Sequence, residues 1–320
     1  MIPRSKVKAG KMKDKKVSFI ILDILFIFMM IAPFVGAIIL KILTAPLSEG
    51  VSVSGAQIYF TIPMPLQDLP ITESQVVSLA VIIAITGLCL YLTHGIRAGV
   101  KTKRQLIAEW IVEFVDKMVK ENMGDYFRGF GPFIAGILAL SAFSSLSSLL
   151  GLYPPTSDIN IIAGWSILVF ILITYYKMKC GPWHYIKSFG EPVKPLAPLN
   201  IISEIATPVS MTFRHYGNVL SGSVISVLLA TALQGLSAMV FGKLPGFLGD
   251  FGWFRIGIPA VMSLYFDIFS GCLQAYIFAV LTMLYVAGGF PEDEYQRRQF
   301  RKMQKKAEKA KAKEEGKALL

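Results

Sequence analysis

Groups that do chemistry are scarce in this sequence. Its three cysteines, Cys89, Cys180 and Cys272, lie in or beside apolar segments without metal-ligand spacing and read as buried free thiols. Its three histidines, His94, His184 and His215, are too scattered for a metal site, and neither metal nor cofactor is expected. No phosphate-binding glycine loop occurs. No His-Glu-x-x-His motif or nucleophile–base pair occurs either, which sets aside an intramembrane enzyme. The internal repeats and paired broken helices of a self-contained secondary transporter are missing too. Residues 44–73 hold no Lys or Arg and are rich in Pro, Gly and Ser, as an outer loop would be.

What the sequence has in excess is apolar surface and charged tails. Of its 320 residues 54% are hydrophobic, and the mean hydropathy is +0.56, too apolar for an ordinary soluble protein. The net charge of +11 sits almost wholly in residues 1–17 and 291–320, leaving the body nearly neutral. Anionic lipid headgroups account for such flanking charge. A nucleic-acid role has no fold or aromatic interleaving behind it.

Six stretches are apolar and long enough to cross a bilayer: about 18–43, 73–96, 129–152, 159–177, 199–240 and 255–290. The first exceeds the 7–15-residue core of a signal peptide and reads as a retained helix, with Asp23 interfacial. An extended piece is expected at Gln57–Ile62, and Thr72 with Gln75 forms a capping box for the second helix. Residues 104–121 differ. Ile107, Trp110, Ile111, Phe114, Val115 and Met118 make one stripe, and Glu109, Glu113, Asp116, Lys117 and Lys120 take the other face. This is an amphipathic helix on the membrane surface, or one whose stripe meets a partner protein. The turn GLYPPTSDIN joins the third and fourth spans, with Ser157 or Asp158 as cap.

The expected fold is therefore an all-α integral membrane protein of six transmembrane helices plus one surface amphipathic helix. Residues 18–290 form the membrane domain between a basic tail at 1–17 and a charged tail at 291–320, solvated helix or disordered. Segments 1–17, 97–128, 177–198 and 291–320 hold 28 of the 32 Lys and Arg residues. That asymmetry places them, and both termini, in the cytoplasm.

Arg214 is the exception. It lies inside the fifth span with about fifteen residues or more on either side. A guanidinium stays charged at ordinary pH, and at mid-membrane it costs at least about 2.5–3.5 kcal/mol unless paired or hydrated. Snorkelling is disfavoured, since neither end is near; a purely structural buried pair is the remaining bland reading. Asn218 follows at i+4 and Ser221 at i+7, with Gly217 and Gly222 beside them, so one helix face is narrow and polar. His215, about 100° round the helix, faces elsewhere.

The run SEIATPVSMTFRHYGNVLSG resembles the signature helix of subunit a of F-type ATP synthases: Pro six residues before an Arg, then Gly-Asn, then a small residue and Gly. Pro208, Arg214, Gly217, Asn218, Ser221 and Gly222 fill those places. GLYPPTSDIN with KMKCG, and CLQAYIFAVLTMLYV, extend the likeness across residues 70–290. Members with five spans have no counterpart of residues 1–43.

The resemblance implies a stator subunit in the bacterial plasma membrane, whose last two long helices face a rotor ring of c subunits. Peripheral-stalk b subunits and the lipid bilayer are the other implied partners. Two half-channels would carry protons or sodium ions to and from the ring past Arg214. On the sixth helix Asp267, Ser270, Gly271 and Gln274 share a face. With Gln274 level with Arg214, as the family implies, Asp267 lies roughly 10 Å outward, Ser223 roughly 13 Å outward and Glu204 roughly 15 Å inward. Asn218 and Gln274 can also be read as interhelical hydrogen-bond partners, and Glu204 as a snorkelling or helix-starting residue. Many bacterial relatives carry Glu nine residues after the Arg and His seven before the Gln. Here those places hold Ser223 and Asp267, which moves the carboxylate to the opposite helix.

Overall fold

The computed structural model describes residues 4–44, 55–65, 67–96, 102–190, 194–242, 252–292, 295–301 and 303–304. Of the tail at 291–320, expected to be a solvated helix or disordered, residues 295–301 are helical, and everything beyond 304 lies outside the described residues.

Apolar runs of about twenty residues bury their backbone polar groups best as helices. Among the described residues, six helices are long and apolar enough to cross a membrane: Ser18–Thr44, Glu73–Thr93, Asp125–Leu150, Ile159–Lys177, Ala197–Phe241 and Leu264–Gly288. The first belongs to a longer helix, α1 (Arg4–Thr44), which runs without a break from the basic segment into the apolar one. A short antiparallel hairpin follows, β1 (Ile58–Ile62) against β2 (Leu69–Thr72). The extended piece expected at Gln57–Ile62 is its first strand.

The helix α2 (Glu73–Thr93) starts directly after β2, and Thr72 N donates to Gln75 Oε1 at 3.4 Å. It packs closely on α1 at Gly87, where a Cβ would stand 3.1 Å from Met29 Cβ and from Phe26 O. The amphipathic α3 (Lys103–Met123) splits its expected stripe. Val115 and Met118 enter the core, while Ile107, Trp110, Ile111 and Phe114 stay exposed.

The helix α4 (Gly131–Leu146) is extended at both ends by 3-10 turns. Residues 151–158 join it to α5 (Ile159–Lys177), which Asp158 caps by accepting from Asn160 N at 3.0 Å. Ile134, Val169, Ile173, Met211, Phe278 and Met283 knit these helices to those that follow. The short α6 (Pro182–Ser188) leads to α7 (Ala197–Phe241), 45 residues long.

The stretch 255–290 is not the single helix expected. A turn at Trp253–Arg255 precedes α8 (Ile258–Ser263), a π-helical segment at Leu264–Ser270 and then α9 (Gly271–Gly288). Wider π turns accommodate bulky side chains in a crowded seam and recur at functional sites; here the segment carries Tyr265, Phe266, Asp267 and Phe269.

One end of the bundle carries the hairpin, residues 151–158 and the start of α8: the hairpin end. The other, with residues 124–130, 178–196 and the chain beyond α9, is the basic end. There the Lys179 ammonium lies 4.7 Å from the centroid of the Tyr176 ring and donates to Tyr126 OH at 3.0 Å.

The thiols depart from expectation. Cys89 and Cys272 are free but exposed on the flanks of their helices, where a membrane protein offers apolar surroundings without burying the side chain in protein. The Cys180 side chain lies outside the described residues.

Candidate functional site

The fifth apolar run folds so that α7 turns one side to the protein and one away from it. Met211, Thr212, His215 and Gly222 are buried, whereas Arg214, Asn218, Ser221 and Ser223 are exposed. Pro208 lies inside the helix, where it offers no N–H. Thr212 Oγ1 donates back to the Pro208 carbonyl at 2.8 Å. Among the described residues no acid pairs with Arg214. His215 turns inward, wholly buried, with Nε2 3.3 Å from Ser141 Oγ and its ring edge-on to Trp165 and Phe278.

Small residues let α7 approach the π segment and α9. A Cβ on Gly222 would lie 3.1 Å from the Phe266 ring, and one on Gly271 would lie 2.7 Å from Ser145 Cβ on α4. Asn218 Nδ2 crosses the seam to Ser270 Oγ at 3.0 Å and to Gln274 Oε1 at 3.5 Å. Gln274 is only 3% exposed. Carried four residues further along α7, the pairing of Gly222 with Phe266 and of Asn218 with Ser270 brings Arg214 level with Gln274. Gly217 is different: among the described residues nothing beyond its own helix comes within 4 Å of where its Cβ would stand.

Towards the hairpin end the seam opens into a cavity of about 540 Å³, whose wall includes Asn218, Ser223, Asp267, Ser270, Tyr216, Ser145, Tyr153 and Lys41. Ser223 and Asp267 thus share one cavity from opposite helices. Towards the basic end a smaller cavity, about 180 Å³, is lined by Lys177, Glu204, Thr207, Tyr285, Gly288 and Gly289. Glu204 Oε2 accepts from Lys177 Nζ at 2.6 Å and Oε1 from Tyr185 OH at 3.3 Å. Burial first, and the Glu204 carboxylate second, hold the Tyr185 hydroxyl above its ordinary pKa.

Chemically, this is a polar lane along one seam of an apolar bundle. It has a cavity at either end, a carboxylate on each cavity wall and an exposed guanidinium between. Among the described residues no group of three or more His, Cys, Asp or Glu is placed to hold a metal ion.

Two ionic networks were not anticipated from the sequence. Asp23 of α1 accepts from Arg104 Nη1 at 2.8 Å and lies 3.0 Å from His94 Nδ1, so it is a helix-to-helix tie and not merely interfacial. At the other end Lys41 Nζ pairs with Glu73 Oε1 at 2.9 Å. The members of each network lie far apart in the sequence, and only the packing of the helices brings them together.

Against known proteins, the family described as "ATP synthase A chain" matches residues 74–287. The chain is 30% identical over 216 residues to the ATP synthase subunit a of Acidothermus cellulolyticus, covering 64% of this chain and 72% of the relative. It is 35% identical over 191 residues to the subunit a of Desulforamulus reducens, covering 58% and 66%. Against that of Bacillus pumilus the figures are 31% over 227 residues, covering 67% and 90%. The family match begins inside α2 and leaves α1 outside it.

Proposed function

The chain belongs to the ATP synthase A chain family, that of bacterial F-type subunit a, and on that premise we propose that it forms two offset half-channels meeting at Arg214. Membership itself carries a non-catalytic place in the membrane sector, an ion-translocating stator role, association with the c-ring and other stator subunits, and the bacterial plasma membrane as location.

The observation that carries the finer reading is the unfinished face of α7. Among the described residues Arg214, which is exposed, pairs with no acid, and Gly217 beside it meets nothing beyond its own helix. A charge so placed in hydrocarbon demands a partner. The ring's ion-binding carboxylate is that partner, drawn to its charged form by the nearby cation. Arg214 thereby forces the bound ion off the ring and blocks direct leakage between the half-channels. The hairpin-end cavity, with Asp267 as its titrating group and Ser223 opposite, is the outer half-channel; the Glu204 cavity is the inner one. Asn218 and Gln274 line the lane between. The basic end faces the cytoplasm, as the charge asymmetry requires. Each unit charge crossing delivers about 2.3 kcal/mol per 100 mV, which the ring converts into rotation.

Complexes carrying Arg214→Lys or Arg214→Ala, purified and reconstituted in vesicles, test this. Lysine keeps the charge but is a compact ammonium on a flexible stem, so Arg214→Lys should assemble yet support no ion-driven ATP synthesis. Arg214→Ala should assemble and pass ions without synthesis. Poor assembly of both would point instead to a bundle-stabilising arginine, and near wild-type synthesis by Arg214→Ala would sink the reading.

A further inference from the structure

The helix α1, outside the family match, reaches the wall of the outer cavity through one residue. Lys41, three residues from its end, lines the same cavity as Ser223 and Asp267. Its side chain is 34% exposed, and its ammonium lies 2.9 Å from the carboxylate of Glu73, whose side chain is 2% exposed. It also donates to the Gly151 carbonyl at 2.7 Å. The same Glu73 oxygen accepts from Tyr153 N at 2.9 Å. Lys41 and Glu73 therefore grip the loop whose Leu152, Tyr153 and Pro154 form the cavity's rim.

The arrangement is asymmetric. Lys41 is one of the residues lining the cavity, whereas the Glu73 side chain is buried in protein. A low-dielectric cleft focuses the field of the charges on its wall and so sets the local concentration of ions of the opposite sign. Of this pair the member that lines the cavity is the positive one, although the ions to be admitted are cations. Among the described residues the carboxylate on the cavity wall is Asp267, and Asp158, which accepts from Ser74 Oγ at 2.6 Å, lies next to the lining residue Ser157.

We propose that Lys41 is a specificity-determining residue of the outer half-channel: its ammonium, held by Glu73 at the rim, restrains cation access to the cavity. This rests on the half-channel reading above. On that basis α1 is a working wall of the ion path.

The test uses the whole ATP synthase in vesicles, with potential-driven flux measured against the concentration of proton or sodium ion on the hairpin side. Lys41→Met removes the ammonium and leaves Glu73 charged, so the half-saturating ion concentration should fall at least about threefold. Exchanging the pair, Lys41→Glu with Glu73→Lys, keeps the bond but turns the carboxylate to the cavity, and should give the same fall. Lys41→Cys should behave like Lys41→Met, and alkylation of that thiol to an aminoethyl group should restore the wild-type value. An unchanged half-saturating concentration in Lys41→Met, or wild-type behaviour of the exchanged pair, would make Lys41 a structural tie and overturn the proposal. Failure of all three variants to assemble would do the same. Arg214→Lys run in parallel keeps the two readings apart: normal coupling there defeats the half-channels, whereas a Lys41 failure alone defeats only this inference.

Discussion

At the scale of single residues, Asp267 is the most informative position after Arg214. It shares a cavity wall with Ser223, so the pair offers a carboxylate on one helix and a hydroxyl on the other. Asp267→Asn keeps the size and loses the charge. Ion-driven flux should drop on the order of 10²-fold, the usual worth of a positioned acid–base group, with assembly intact. Ser223→Glu on that background should recover part of the flux by returning a carboxylate to the cavity. Unimpaired pumping by Asp267→Asn alone would remove the residue from the path. These positions were legible in the sequence because a charge inside an apolar run is conspicuous, and helical spacing then lines up Asn218 and Ser221 behind Arg214. The Lys41–Glu73 pair was not. Its members are far apart in sequence, and only the packing of α1 on α2 makes them neighbours. Nor could spacing alone reveal that Glu204 is held by Lys177 from the preceding span.

At the scale of elements, the sequence disclosed the six apolar helices because hydrocarbon leaves a run of about twenty apolar residues little choice of structure. It did not disclose the π segment at Leu264–Ser270, because the extra residue in that turn is decided by crowding against α7 at Gly222, not by local pattern. The glycines divide accordingly. Gly271→Val would drive a side chain into Ser145 on α4, and such overpacking costs about 1–3 kcal/mol. The thermal stability of the detergent-solubilised subunit should fall. Gly217→Val meets nothing within 4 Å among the described residues beyond its own helix. That variant should leave the isolated subunit as stable as wild type, apart from a few tenths of a kcal/mol of helix propensity in its favour, and impair only rotor-coupled synthesis. Equal loss of subunit stability in both variants would show that Gly217 packs inside the protein after all.

At the scale of the whole molecule, the prediction is sidedness. Single cysteines placed at residues 50–56 should be labelled from outside intact cells, and one at residue 310 only after permeabilisation. Cys89 and Cys272 are free and exposed, so they and Cys180 must first be replaced. External labelling at 310 would invert the topology and exchange the two half-channels. The length of α7 also acts at this scale. Its 45 residues span about 68 Å at 1.5 Å per residue, more than twice the roughly 30 Å of hydrocarbon. It cannot stand upright within the bilayer.

The two ionic ties of α1 have a further consequence. Asp23 and Lys41 are eighteen residues apart, about 27 Å along a helix. One is fastened to His94 and Arg104, the other to Glu73 and Gly151. With both ends pinned, α1 and α2 cannot slide along each other. Together they form a gauge of nearly fixed height, cut close to the thickness of the acyl-chain layer. Lipids with shorter or longer chains must therefore adjust to the protein, by stretching or thinning around it or by tilting the pair as a unit, at fractions of a kcal/mol per Å. The hairpin-end cavity, tied to the top of that gauge, keeps its height above Arg214 whatever the membrane around it is made of.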